Sequence, residues 1–147
     1  MRKAKLVKLI ESNEIKSWQL LMSTFQCVYR QLEKGLADKE VSVSRFQVLF
    51  CLYFDGRTSS SELSRKLLVT RSNMSMFLKR MEADGLINFI IPKGQKRPVI
   101  ELTAKGNRFF EGIFPAHAAR VTAMVHSFSP ETIRDLEKVI RCVSKEM

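Results

Sequence analysis

Between Arg71 and Arg80 the chain concentrates Arg71, Ser72, Asn73, Ser75, Met76, Lys79 and Arg80, with no acid before Glu82. Arginine, asparagine and serine hydrogen-bond the edges of bases, and lysine and arginine also neutralise phosphates. Lys93, Lys96 and Arg97 form a second cationic group, framed by Pro92 and Pro98. Its composition suits a minor groove or the phosphates beside it. Ser59, Ser60 and Ser61 begin a third segment, whose free N–H groups at a helix start are suited to phosphate. Helix capping explains those serines equally well.

The chemistry implied is recognition of a polyanion, not the making of bonds. No nucleophile motif, glycine-rich phosphate loop, metal motif or paired catalytic carboxylates occur, so an enzyme is not expected. His117 and His126 are too far apart along a helix to share a metal, and no cofactor is expected. Cys27, Cys51 and Cys142 are widely spaced, odd in number and without a C-x-x-C pair. They read as packed core cysteines in a reducing compartment. No apolar h-region follows the charged start, and no run approaches a bilayer span. The expectation is a cytoplasmic protein with no membrane partner.

The elements that must hold these residues follow from periodicity. The chain has 147 residues and is 45% hydrophobic, enough for one domain with its own core. The first ten residues carry four cations and no acid and read as a solvated, frayed basic arm. From Ile15 through Trp18, Leu21, Met22, Phe25, Val28, Tyr29, Leu32 and Leu36, apolar residues recur at helical steps. That stripe is too broad for a small domain to cover, which points to a partner chain. Ser44 reads as the cap of a second helix ending at Asp55-Gly56. Ser59 and Glu62 have the spacing of a capping box for a short third helix ending near Leu68-Val69. Thr70 caps a fourth helix, anchored by Met74, Phe77, Leu78 and Met81 and stopped by Asp84-Gly85. Leu86–Ile91 and Val99–Leu102 read as strands around the cationic turn. Thr103 caps a further helix in which Pro115 marks a kink or a break. Ser129-Pro130-Glu131 starts the last helix, striped by Ile133, Leu136, Val139, Ile140 and Val143.

Two helices about one turn apart, followed by strand, basic loop and strand, make a winged helix-turn-helix. The net charge of +10, from 25 basic and 15 acidic residues, favours a polyanionic partner. Eight cations (Arg71, Lys79, Arg80, Lys93, Lys96, Arg97, Lys105 and Arg108) against Glu82, Asp84 and Glu101 leave net +5 on the stretch that carries the motif. The fold expected is mainly α: a winged helix-turn-helix lobe over 44–106, a two-stranded β-wing, and flanking N- and C-terminal helices at 1–40 and 107–147.

The segments Ser61-Glu62-Leu63-Ser64-Arg65-Lys66-Leu67, Thr70-Arg71-Ser72-Asn73-Met74-Ser75, Arg80-Met81-Glu82-Ala83-Asp84-Gly85-Leu86-Ile87 and Leu102-Thr103-Ala104-Lys105-Gly106 resemble the MarR family of bacterial regulators. The resemblance implies a homodimer, with the flanking segments 1–40 and 107–147 as its dimerisation helices, that binds a double-stranded, pseudo-palindromic operator, more often as a repressor than an activator. It also implies a small-molecule, oxidant or metal effector acting near the junction of dimer and DNA-binding parts. The wing departs from the family pattern: where relatives carry Asp-x-Arg, Gly94 and Lys96 stand, with Arg97 beside. Asn88-Phe89 likewise replaces a common Glu-Arg. Trp18, Phe25, Phe46 and Phe50 are the candidates for lining an effector cavity, although core packing explains them too. The irregular wing keeps an alternative open, a protein-interaction module or anti-repressor with little DNA affinity. Membrane-surface binding by residues 1–10 is a further rival.

Overall fold

The computed structural model describes residues 2–144, without the side chains of residues 2, 4 and 5. Met1 and residues 145–147, the outer ends of the two expected dimerisation segments, lie outside the described residues. The order of elements is α1 (Arg2–Ile10), α2 (Asn13–Ala37), α3 (Val43–Asp55), α4 (Ser60–Lys66), α5 (Arg71–Ala83), β1 (Ile87–Ile90), β2 (Val99–Leu102), α6 (Ala104–Val125) and α7 (Pro130–Ser144).

Hydroxyl caps start most of the helices. Ser12, Ser59, Thr70, Thr103 and Ser129 each accept the backbone N–H three residues on. Three expectations are corrected. The first residues form a helix that leads into α2, where a frayed arm was expected, and its Leu6, Val7, Leu9 and Ile10 stay exposed in the single chain; no glycine or proline interrupts the segment, so its local preference is helical. The cap of α3 is Ser42, not Ser44, because burying Val43 starts the helix two residues earlier. Helix α4 ends at Lys66, since Leu68 turns into the left-handed region at φ 53°. Through Pro115, α6 continues as one helix.

The core gathers Phe46, Val48, Leu49 and Leu52 of α3, Leu63 of α4, Met74, Leu78 and Met81 of α5, and Phe110 and Ile113 of α6. Ile87 and Ile100 seal it from the sheet. The strands are antiparallel, with Ile87 opposite Leu102 and Ile90 opposite Val99. An isolated bridge adds Thr58 to the sheet: its N–H donates to the Ile100 carbonyl at 3.2 Å, and the Ile100 N–H donates back at 2.7 Å.

The tightest junction joins the end of α5 to the start of α6. The Leu86 carbonyl accepts from the Thr103 N–H at 3.0 Å, and the Thr103 hydroxyl donates to the Gly85 carbonyl at 2.6 Å. The same hydroxyl oxygen caps α6 by accepting the Gly106 N–H at 2.9 Å. A Cβ on residue 106 would lie 2.0 Å from the Leu86 carbonyl oxygen, so only glycine fits. We therefore expect Gly106→Ala to lower stability in urea unfolding by about 1–3 kcal/mol or more, as overpacking against backbone does. Gly112→Ala, where a Cβ meets nothing within 4 Å on the same helix, serves as the control and is expected to be neutral or stabilising.

Candidate nucleic-acid interface

The presented helix is α5. It enters from a turn in which the Val69 N–H donates to the Ser64 carbonyl at 3.0 Å, and Thr70 then caps it. Met74, Leu78 and Met81 are fully buried and fix its inner face, while Phe77 is half-buried. Arg71, Ser72, Asn73, Ser75, Met76, Lys79 and Arg80 are all exposed. The structure thus places these sequence-derived candidates together on the outer side of one helix. Lys93, Lys96 and Arg97 are exposed in the turn between β1 and β2, where Gly94 adopts φ 83°. That backbone conformation suits glycine and disfavours the aspartate expected from the family pattern. Helix α5 packs on β1, the root of the wing.

Ser60 stands apart from the other candidates. It is half-buried at the first position of α4, and its carbonyl accepts the Ser64 hydroxyl at 2.9 Å. The capping serine is Ser59. Glu62 completes only half of a capping box, because its carboxylate accepts from Arg65 at 2.8 Å.

Cations in this lobe divide into two groups. Arg45 pairs with Asp84, Arg57 with Glu101, Arg65 with Glu62 and Lys66 with Asp55. Lys105, counted with the basic surface in the sequence, donates to the Asp84 carbonyl at 2.7 Å and so closes the end of α5. Among the described residues, Arg71, Lys79, Arg80, Lys93, Lys96 and Arg97 have no carboxylate in salt-bridge range. The free charge therefore lies on α5 and the wing, where an external polyanion can reach it. Sequence reasoning missed Arg45, Arg57 and Thr58 as parts of the frame. Their partners are distant in the chain, and no local period marks them.

The four aromatic candidates for an effector cavity do not share one. Phe46 and Phe50 line a groove of about 350 Å³ with Leu32, Gln47, Lys66, Leu67 and His117. Trp18 lines a separate apolar groove with Leu136, Val139 and Val143 of α7. Phe25 packs against Tyr29, with ring centroids 5.8 Å apart. A long helix spreads its residues along an axis, so a shared stripe is not a shared pocket. The cysteines also divide. Cys51 is buried, and burial pushes its thiol up despite the nearby Lys66 ammonium. Cys27 and Cys142, expected in the core, are exposed in this chain because they lie on faces of α2 and α7 that the rest of the chain leaves uncovered. Among the described residues no metal-binding cluster of histidine, cysteine and carboxylates occurs, and no helix is long and apolar enough to cross a membrane.

A short helix, a turn, an anchored second helix and a hairpin with a cationic tip define a winged helix-turn-helix protein. Residues 41–99 match the model of the MarR family. The chain is 29% identical over 115 residues to the HTH-type transcriptional regulator YkoM of Bacillus subtilis, covering 78% of this chain and 75% of that one. It is 27% identical over 121 residues to the HTH-type transcriptional repressor YetL of the same organism, covering 78% and 72%. The crystal structure of S. aureus MepR in complex with DNA superposes with a TM-score of 0.81 at 18% identity, covering 92% of this chain and 100% of that one. The chain thus carries a MarR-type winged helix-turn-helix segment over residues 41–99, and over most of its length it is similar to transcriptional regulators of that kind.

His117 lies where α6 meets α3, its ring centroid 3.9 Å from that of Phe46, and its Nδ1 is buried without a partner. Burial, with the Arg120 cation beside it, holds the imidazole below its ordinary value. Its neutral form is therefore favoured in the folded chain, and the unfolded chain binds the proton more readily. Its contribution to stability is full above the ordinary value of about 6.5 and falls away as pH drops below it. We expect the stability of the wild type relative to His117→Phe to decline between about pH 7.5 and 5 in urea unfolding. A pH-independent difference would show that the ring is not desolvated.

Proposed function

We propose that the chain binds a pseudo-palindromic, double-stranded DNA operator as a homodimer and represses transcription from it. The carrying observation is the free charge: six cations without carboxylate partners, all on α5 and the wing, beside a lobe whose other arginines and lysines are largely paired. In this reading α5 enters a major groove. Arg71, Ser72, Asn73 and Ser75, in its first turns, contact base edges, and Lys79 and Arg80 contact phosphates. Lys93, Lys96 and Arg97 grip the neighbouring minor groove or backbone. Ser60, at the start of α4, contributes its free backbone N–H to a phosphate. The DNA complex of MepR and the repressor YetL support the partner and the sign of regulation.

The dimer reading rests on apolar surface. Helix α7 has no buried residue in the single chain, and Ile133, Leu136, Val139, Ile140 and Val143 are all exposed along one stripe. Trp18, Leu21, Met22, Phe25 and Val28 are exposed on α2. A surface of this kind marks an interface, and a second copy offers a self-complementary cover. A small apolar effector has its place in the groove beside Phe46 and Phe50, between the flanking helices and the DNA-binding lobe.

Two outcomes test this reading. Light scattering at micromolar concentration is expected to give twice the chain mass, and Ile140→Glu, which sits 67% exposed in the single chain, is expected to shift the protein towards monomer. Lys96→Ala and Arg97→Ala are expected to weaken binding to all duplexes alike. Each is expected to flatten the salt dependence by about one unit per lost phosphate contact, read by fluorescence anisotropy across a salt series. A wild-type protein that ignores duplex DNA in dilute buffer would leave an interaction module in place of a DNA reader.

A further inference from the structure

On α5 one exposed side chain does not fit a purely polar reading surface. Met76 is 50% exposed and is the one large apolar side chain left open on that helix. Its neighbours on the outer face are Ser72, one turn before, Ser75 beside it, and Lys79 and Arg80, one turn after. At about 100° per residue, Met76 lies about 160° around the helix from the fully buried Met74, and Ser72 and Lys79 share its ridge. The anchor stripe of Met74, Leu78 and Met81 therefore faces the core while Met76 is carried on the ridge opposite. When the first turns of a helix lie in a major groove, the side chain at the centre of that ridge meets the groove floor, while the long stem of Lys79, one turn on, carries its ammonium out to a phosphate.

The floor of the major groove offers hydrogen-bonding atoms and one apolar group, the C5-methyl of thymine. Apart from aliphatic stems, Met76 has no donor and only a weak acceptor, so it gains little from the polar edges. Its unbranched thioether adapts to a single methyl more readily than a branched side chain would. Met76 stays half open to the outside between Ser72 and Lys79. We propose that Met76 is a specificity-determining residue that reads the C5-methyl of one thymine in each half-site. This rests on the reading of α5 as the major-groove helix and adds to it a base and an atom.

The test uses the full-length protein and duplexes that the wild type selects from a randomised pool. Each thymine of a selected duplex is replaced singly by deoxyuridine, which removes the methyl and keeps the pairing and the hydrogen-bonding edge. For the wild type, one position per half-site is expected to lose about fourfold in affinity, the factor for one buried methyl. In Met76→Ala the thymine-to-uridine ratio at that position is expected to fall to about one and to stay unchanged at every other. Met76 lies outside the core, and an unchanged urea midpoint verifies that the variant is folded. A wild type insensitive to every uridine, or a Met76→Ala variant whose ratios match the wild type throughout, overturns the role of Met76 while leaving DNA binding intact. Failure of the wild type to select any duplex overturns the underlying DNA reading as well, and so the two failures are distinguishable.

Discussion

The close approach of the first turn of α6 to the Leu86 carbonyl fixes the geometry on which the presented surface depends. Gly106 permits it, and Thr103 bonds it on two sides, to Gly85 and to its own helix. Because Gly85 follows α5 directly and Leu86 precedes β1, the junction sets the end of the presented helix and the root of the wing together. Arg45 adds a side-chain tie from α3 to Asp84, and Lys105 donates to the carbonyl of the same residue, the cap that ends α5. Thr58 holds the hairpin from the opposite edge. The outer face of α5 is therefore oriented by backbone hydrogen bonds and packing, not by its own exposed residues. Those residues are left free to answer to a ligand.

Charge is distributed by the same logic. The frame spends its arginines and lysines on carboxylates and carbonyls, and at exposed sites each such pair contributes little to stability. Their effect is to hold geometry and to withhold charge from the surface. Within the winged lobe, the described cations that have no carboxylate or carbonyl partner gather on α5 and the wing, where mutual repulsion is softened by screening over about 8–10 Å. A polyanion that neutralises several such cations releases its own counterions, which is the physical basis of the proposed binding.

Apolar surface obeys a second division. Phe46, Phe50, Tyr53, Phe54, Phe110 and Phe114 form a continuous aromatic cluster between α3 and α6, with neighbouring centroids 4.7 to 6.4 Å apart. It joins the presenting lobe to the long helix, with His117 stacked at its edge and Tyr53 donating to Glu111 at 2.8 Å. That hydrogen bond to a carboxylate raises the Tyr53 phenol above its ordinary value. By contrast, α2 and α7 turn apolar stripes outward. One set of helices is finished within the chain and the other is not.

Much of this was legible in the residues themselves. The caps at Ser59, Thr70, Thr103 and Ser129 involve an oxygen and an N–H three positions apart, so local spacing reveals them. The inner stripe of α5, and with it the outer candidates from Arg71 to Arg80, follows from the period of the helix, and the hairpin from two apolar, β-branched runs around a cationic turn. Other features required partners remote in the chain. Ser42 and Ser44 are equivalent hydroxyls in Val41-Ser42-Val43-Ser44, and only the burial of Val43 chooses between them. Thr58 joins the sheet through a single residue, which has no period. Trp18, Phe25, Phe46 and Phe50 look alike as aromatics on helices, yet packing sends them to three different environments. Sequence by itself determined which residues repeat on a common face, because helices and strands space them regularly. Tertiary structure decided which charges are already satisfied, which aromatics share a wall and which glycine admits a backbone contact, because those depend on the distance between atoms far apart along the chain.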